Sequence, residues 1–168
     1  TNPDQFTDAT LFNSEATTPE SDFIKIKNHS YGYSSPYIYS TRDADQLDAF
    51  ASTTEAEAIH VVAAGNDARD ANKDVQANSV NTITVAALGQ DGMYASYSNF
   101  GACVTVTAPS SDPTGITTTD RRDLETGNLV PGATSVVNPQ GYATGDYTSG
   151  FGGTSSASPL VAGVIALG

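Results

Sequence analysis

The sequence predicts an α/β fold built around a parallel sheet. Three consecutive stretches support this prediction: alternating residues at 23–27, apolar residues at helical spacing between Ala44 and Ala58, and an apolar run at residues 59–64. Their periodicities are those of a strand, an amphipathic helix and a buried strand. A strand–helix–strand crossover of this length is right-handed and places its two strands in parallel.

The first of these stretches differs from an ordinary central strand. Lys25 and Lys27 alternate with Ile24 and Ile26, whereas a strand of a parallel sheet is usually apolar on both faces. The alternation therefore indicates a strand that is half exposed to solvent. The helix that follows is introduced by a capping signal, Ser-Thr-Arg-Asp, at residues 40–43.

The later elements follow in chain order. Two further strands are predicted at residues 82–87 and 104–109, and Cys103 is predicted to be a small buried residue beside the second of them. Residues 110–150 are rich in Gly, Thr, Asp and Pro, which predicts a loop-rich connection with a short hairpin at 125–128. A helix of small residues comes last.

Composition excludes several classes of function. The 168 residues contain 19 acidic and 7 basic side chains, a net charge of −12. Nucleic acids and anionic membranes both require clustered Lys and Arg, so neither is expected as a partner. The single cysteine allows no internal disulfide. The acidic balance suits a soluble protein, extracellular or salt-tolerant.

A serine follows two glycines where the last helix begins. Residues 152–163 read Gly-Gly-Thr-Ser-Ser-Ala-Ser-Pro-Leu-Val-Ala-Gly. Glycines permit tight turns, and a hydroxyl at a helix N-terminus lies where unpaired N–H groups favour negative charge. Ser155 is therefore a candidate nucleophile. The alternative interpretation is an ordinary serine-rich helix N-cap.

A second candidate follows the strand at residues 59–64. Gly65 and Asn66 form a turn signal that places Asn66 just beyond the carboxyl end of that strand. Open α/β sheets bind ligands at this end. A side-chain amide there can donate a hydrogen bond to an oxygen that becomes negative during acyl transfer. The alternative is an ordinary loop asparagine.

Together these segments resemble the subtilisin-like serine proteases. Residues 153–159 match the serine box of that family, residues 61–66 match its Val-Val-Ala-Ala-Gly-Asn segment, and residues 28–32 match Asn-x-Ser-x-Gly more weakly. The stretches 97–101 and 104–109 also match, although Ser110 stands where the family has a glycine. The resemblance implies a three-layer, subtilisin-like parallel sheet and peptide-bond hydrolysis through an acyl-enzyme.

The resemblance also implies roles for individual residues. Ser155 would attack the scissile carbonyl, while Asn66 and the backbone N–H of Ser155 would hold the oxyanion. Two walls of a primary specificity pocket are implied: Ser30, Tyr31 and Gly32, which would also pair with the substrate backbone, and opposite them Ala63, Ala64 and Gly65.

Two of the family's catalytic motifs are absent from these residues. The family carries its acid in Asp-Ser/Thr-Gly and its base in His-Gly-Thr-His, and the sequence contains neither. His29 and His60 fall on strand positions and are interpreted as structural. We therefore expect residues 1–168 to be a partial peptidase domain, truncated at both ends and inactive alone. Uncovered sheet edges would favour association with a complementary chain or a second copy.

Specificity and metal binding are less defined. Residues 116–120 and the doubled glycine before Thr154 resemble the kexin-like branch, but residues 30–35 contain no acid, so dibasic specificity is not assigned. Asp70 and Asp74 follow Asn66 and are interpreted as solvated loop charges in preference to pocket acids. No cofactor is required, and the resemblance allows a structural calcium ion without assigning its ligands.

Two other functional classes remain open. A subtilisin-like pseudoenzyme or peptide-binding module would keep the substrate-binding strand and lack acid and base. An α/β-hydrolase esterase is the weaker alternative, because its Gly-x-Ser-x-Gly motif requires glycine where Ala157 stands.

Overall fold

Four parallel strands form the main sheet of the computed structural model, which describes residues 24–32, 47–52, 58–120 and 147–168. Their spatial order is the same as their order in the chain, and each neighbouring pair is parallel. The strands are β1 (Ile26–His29), β2 (Ile59–Ala63), β3 (Thr82–Leu88) and β4 (Val104–Pro109). The predicted α/β fold with a parallel sheet is confirmed.

Helices cover both faces of this sheet. Residues 47–52 are helical (α1), and the last helix, α2, spans Thr154–Ile165. His29 contacts Phe50 of α1, whereas its neighbour Asn28 accepts a hydrogen bond from Ser158 of α2. Successive strand residues point to opposite faces, so α1 and α2 lie on opposite sides and the described part has three layers.

The hydrophobic core lies between the sheet and α2. It is made of small and medium side chains, and α2 packs against all four strands. Its buried members are Val61, Val85, Ala87, Ala95, Ala108 and Ala157. Small side chains on the helix allow it to approach the sheet closely, which places its N-terminus beside the carboxyl ends of the strands.

The prediction of a half-exposed first strand agrees with the structure, since burial alternates along Ile26–His29, but the more buried face is the one that carries Lys27. Lys27 is only 8% exposed, and His29 is also buried. The reason is that α1 covers the face on which both side chains lie, and Phe50 there is fully buried. Sequence alternation reported the two faces correctly but not which of them is covered.

Part of the predicted loop-rich connection forms a second sheet. Strands β5 (Ile116–Thr119) and β6 (Tyr147–Phe151) pair antiparallel. β6 leads directly into α2 through Gly152 and Gly153. The predicted hairpin at 125–128 lies outside the described residues, as does most of the helix predicted between Ala44 and Ala58.

Two smaller observations complete the fold. Cys103 is half-buried, less than predicted, and burial raises the pKa of its thiol. Within the described segments, no helix has the length and hydropathy of a membrane span.

The two histidines form a buried pair between β1, β2 and α1. His29 Nε2 and His60 Nδ1 are 2.9 Å apart, and His29 Nδ1 lies 3.0 Å from the Tyr31 hydroxyl. Phe50 contacts both imidazole rings. Burial, His60 and Lys27 together lower the pKa of His29 from 6.5 to about 3. His29 is therefore a neutral structural residue at neutral pH.

We predict that acid destabilises the fold through His29. Between pH 6.5 and about 3 the unfolded chain protonates this imidazole and the folded chain does not. Above pH 6.5 the imidazole is neutral in both states and costs no stability. As the pH falls below 6.5, this group lowers the free energy of unfolding, with a slope approaching ~1.4 kcal/mol per pH unit. Urea unfolding at a series of pH values measures it. His29→Asn removes the titration and should flatten the curve over this range; parallel curves for both proteins would contradict the prediction.

Candidate active site

A cleft opens where β1 and β2 end beside the N-terminus of α2. Its empty volume is about 630 Å³ including the open mouth. Parallel strands end at the same edge of a sheet, which is where ligands bind in folds of this class. The cleft is lined by Ser30, Tyr31, Gly32, Ala63, Gly65, Asn66, Asp67, Asp74, Asn99, Thr154 and Ser155.

Ser155 lies in the first turn of α2, immediately behind a glycine turn. Gly153 has φ 71° and ψ 177°, a conformation that side chains disfavour, and helix residues follow from Thr154. The Ser155 hydroxyl donates a 3.3 Å hydrogen bond to the carbonyl of Ser30. Its backbone N–H has no acceptor among the described residues, as expected in a first helical turn. The Ser155 hydroxyl, which makes one long hydrogen bond, and the Ser155 N–H, which has no acceptor among the described residues, therefore both lie at the cleft.

Pro159 explains how α2 is attached to the end of β1. Proline has no N–H, so the carbonyl of Ser155, four residues earlier, has no intrahelical donor. The Ser30 hydroxyl donates to that carbonyl at 3.0 Å. Asn28 supports the contact, because its Nδ2 donates to Ser30 Oγ at 2.9 Å and its Oδ1 accepts from Ser158 at 2.6 Å.

Asn66 is oriented by the residue that precedes the serine. Its Oδ1 accepts hydrogen bonds from the backbone N–H of Thr154 at 2.7 Å and from the Thr154 hydroxyl at 2.9 Å. The amide nitrogen is thereby left as a donor, and it has no acceptor in the described part of the chain. A Cβ on Gly153 would lie 3.1 Å from both terminal atoms of this amide. Glycine at 153 is thus required by backbone geometry and by the close approach of Asn66.

Asn99 holds the loop that contains Asn66. It is 1% exposed, and its Nδ2 donates to the carbonyl of Ala64 at 2.9 Å. Its Oδ1 accepts from the backbone N–H groups of Asp67 and Arg69, and its own N–H donates to the carbonyl of Gly65. Gly65 has φ 102°, and a Cβ there would overlap Asn99 Nδ2. A single buried side chain therefore fixes residues 64–69.

Ser110 stabilises the glycine turn from the end of β4. Its hydroxyl donates to the carbonyl of Gly153 at 2.6 Å and lies 2.7 Å from the hydroxyl of Ser156. Tyr97 donates to Ser110 Oγ at 2.9 Å. A glycine at position 110 could make none of these side-chain contacts, so this chain has additional support beneath the turn.

The cleft contains all but one of the predicted site residues. Ser155 and Asn66 line it, as do Ser30–Gly32, Ala63 and Gly65. Ala64 is buried and does not line it; its backbone instead bonds Val85 and Asn99. Among the residues that the structure describes, the hydrogen-bond partner of the Ser155 hydroxyl is Ser30, and neither His29 nor His60 bonds it.

Sequence reasoning missed four cleft residues. Thr154 was part of a matched motif without an assigned role, and Asn99 lay in the matched stretch 97–101. Asp67 was not proposed for the pocket. The interpretation of Asp74 as a solvated loop charge is wrong, since it is buried and lines the cleft. The sequence signal for the place of Asp74 in the cleft is its short spacing from Asn66.

Metal binding has no assigned residues. Within the described segments no three His, Cys, Asp or Glu side chains form a group that could hold a metal ion. Structural calcium stays a prediction without ligands.

Comparisons with known proteins agree with this geometry. The model of the subtilase family, peptidase S8, matches residues 3–168. An extracellular protease of Xanthomonas campestris is 45% identical over 107 residues, which are 64% of this chain and 15% of that protein. A calcium-dependent protease of Trichormus variabilis is 42% identical over 114 residues, 65% of this chain and 16% of that protein. The chain thus spans about a sixth of these relatives.

Solved structures show the same fold. A protease from Pseudoalteromonas arctica superposes with a TM-score of 0.61 and 26% identity, over 85% of this chain and 38% of that protein. The predicted subtilisin-like architecture is confirmed. The kexin-like features suggested by residues 116–120 stay a prediction.

We predict that Asn99→Ala destabilises the protein by about 1–3 kcal/mol, because it leaves the partly buried N–H groups of Asp67 and Arg69 without their acceptor. Urea unfolding measures the loss, and amide hydrogen exchange at residues 67 and 69 should accelerate. Asn78→Ala is the matched control, since Asn78 is an exposed asparagine on the same loop. Equal stabilities for the two variants would show that Asn99 does not hold the loop.

Proposed function

Because the chain belongs to the subtilase family, we propose that it provides the nucleophile and the oxyanion-binding groups of a serine endopeptidase. The observation that supports this most strongly is the pair of hydrogen bonds from Thr154 to Asn66 Oδ1. They leave the amide nitrogen of Asn66 as a donor in the same cleft as Ser155. The substrates would be proteins or peptides.

The proposed reaction begins at the Ser155 hydroxyl. Its oxygen forms a bond to the carbonyl carbon of the scissile peptide, and the carbonyl oxygen takes up the displaced electron pair. Asn66 Nδ2 and the Ser155 N–H donate to this oxyanion. Such preorganised donors act without reorganisation during the reaction, and one of them is typically worth about 3–4 kcal/mol. Collapse expels the amine, which takes up the proton that the base accepted from Ser155, and water then hydrolyses the acyl-enzyme.

The backbone at the end of β1 aligns the peptide in this proposal. Residues 30–32 form one wall of the cleft and Ala63 and Gly65 the facing wall. The bond from Ser30 Oγ to the Ser155 carbonyl fixes the distance between that wall and the nucleophile. An extended peptide lying along residues 30–32 would present its carbonyl to Ser155.

The base that accepts the serine proton is proposed to lie outside these 168 residues. His29 is buried on the α1 side, and its pKa is lowered to about 3. Its ring nitrogens lie 2.9–3.0 Å from His60 and Tyr31. We further propose an extracellular location, supported by the acidic composition and by the extracellular protease of Xanthomonas.

A pseudoenzyme or peptide-binding module is the second candidate. It is favoured by one observation, the absence of the family's acid and base motifs from this sequence. Reading the codons upstream of Thr1 for Asp-Ser/Thr-Gly and His-Gly-Thr-His separates the two candidates. Finding both motifs supports the peptidase, and their absence from the whole gene supports the binding module.

We predict that the 168-residue chain alone resists labelling of Ser155 by a fluorophosphonate. In the protein that also contains the acid and base, labelling should be stoichiometric and should disappear in Ser155→Ala. Mass spectrometry of the labelled peptide measures both. Rapid stoichiometric labelling of the chain alone would refute an external base.

We also predict that Asn66→Ala lowers kcat by about 10²–10³ in the protein with acid and base, because one oxyanion donor is lost. KM should change little, since the donor acts on the transition state. Asn78→Ala, on the exposed surface, is the control and should leave both constants unchanged. A decrease of less than tenfold in kcat would exclude Asn66 as an oxyanion donor.

A further inference from the structure

Asp74 is a buried carboxylate inside the cleft. It is 8% exposed, yet it lines the same cavity as Ser155 and Asn66. Carboxylates are rarely buried to this degree without a partner. The contacts of its two carboxylate oxygens therefore indicate which kind of chemical group binds in the cleft.

One carboxylate oxygen fixes the side chain, and the other accepts no hydrogen bond from the described residues. Oδ1 accepts from the backbone N–H groups of Gln76 at 2.9 Å and Ala77 at 3.1 Å. Its backbone N–H donates to the carbonyl of Ala71 at 2.9 Å, which anchors the residue further. Oδ2 has no hydrogen-bond donor in the described part of the chain. Turning the carboxylate would break two hydrogen bonds, so the side chain is held in place in the wall of the cleft.

No cation of the described segments forms an ion pair with Asp74. The guanidinium of Arg69 pairs with Asp67 at 2.9 Å, and the neighbouring Lys73 is exposed to solvent. An unpaired buried charge is unfavourable, and a cation that enters the cavity offsets that cost. Asp67, half-exposed on the same cleft, has its charge balanced by Arg69, which leaves Asp74 as the cleft carboxylate without a cationic partner in the described segments. The cleft therefore attracts a positive group and stabilises it at Asp74.

Resting on the function proposed above, we infer that Asp74 selects substrates with a basic side chain, Arg or Lys, on the residue whose carbonyl Ser155 attacks. The cavity extends between the walls at residues 30–32 and 63–66, and Asp74 offers a fixed anionic acceptor within it. An apolar side chain in the same place would remove water from Asp74 without pairing its charge. The basic side chain gains an ion pair with hydrogen-bonding geometry.

The test compares Asp74→Asn with Asp70→Asn. Asn at position 74 keeps Oδ1 as the acceptor for residues 76 and 77 and removes only the charge. Asp70 is the matched control on the same loop, because its Oδ1 likewise accepts from a backbone N–H two residues later and it does not line the cleft. Urea unfolding verifies that both variants are folded.

The first readout is binding of benzamidine to the chain as it stands, measured by NMR titration. It requires neither acid nor base. We expect wild type and Asp70→Asn to bind benzamidine at least tenfold more tightly than neutral benzamide. Asp74→Asn should lose this preference. Equal affinities of wild type for the two probes would overturn the inference.

The second readout is kcat/KM in the protein that contains the acid and base. Peptides that differ only at the residue before the scissile bond are compared, with Arg, Lys, Leu or Phe there. Wild type and Asp70→Asn should prefer Arg and Lys by about 100-fold, and Asp74→Asn by less than tenfold. A wild-type preference for Leu or Phe overturns the inference without any variant.

Failure of this inference is distinguishable from failure of the proposed function. If Ser155 is labelled by the fluorophosphonate but the basic peptides are not preferred, the peptidase stands and the role of Asp74 is refuted. If Ser155 is never labelled but benzamidine binding depends on Asp74, the basic-side-chain pocket is supported and the catalytic proposal fails.

Discussion

The contact between Thr154 and Asn66 is the interaction on which the site depends. It joins the loop after β2 to the first residue of α2, and both donors of Thr154 converge on one amide oxygen. Since that oxygen is occupied, the orientation of the whole amide is set. The donor nitrogen is positioned before any substrate binds, and this is the condition under which a hydrogen-bond donor is most effective in stabilising a transition state.

Several positions make this contact sterically feasible. Gly153 has no side chain to displace the amide, and Asn99 and Ser110 support the loops on either side. Pro159 contributes because it has no N–H to donate. The carbonyl of Ser155 is therefore available as the acceptor for the Ser30 hydroxyl. A residue that would weaken an isolated helix thereby attaches this helix to the sheet.

Much of this arrangement could be predicted from the sequence, because its signals are local. An apolar run marked β2, and stretches rich in β-branched residues marked β3 and β4. Gly-Asn and Gly-Gly-Thr-Ser marked the turns that follow β2 and precede α2. What could not be predicted depends on tertiary packing. Lys27 is buried because α1 covers one face of β1, and no pattern within the strand reports that. Asp74 resembles Asp70 in sequence, but only one of them lines the cleft.

The most direct measurement is an experimental electron-density map at atomic resolution, at which the amide oxygen and nitrogen of Asn66 are distinguished. We expect Oδ1 within hydrogen-bonding distance of the Thr154 N–H, with Nδ2 and the Ser155 hydroxyl on the same side of the cleft. An Asn66 amide turned away from α2, or a Ser155 side chain outside the cleft, would contradict the proposed site.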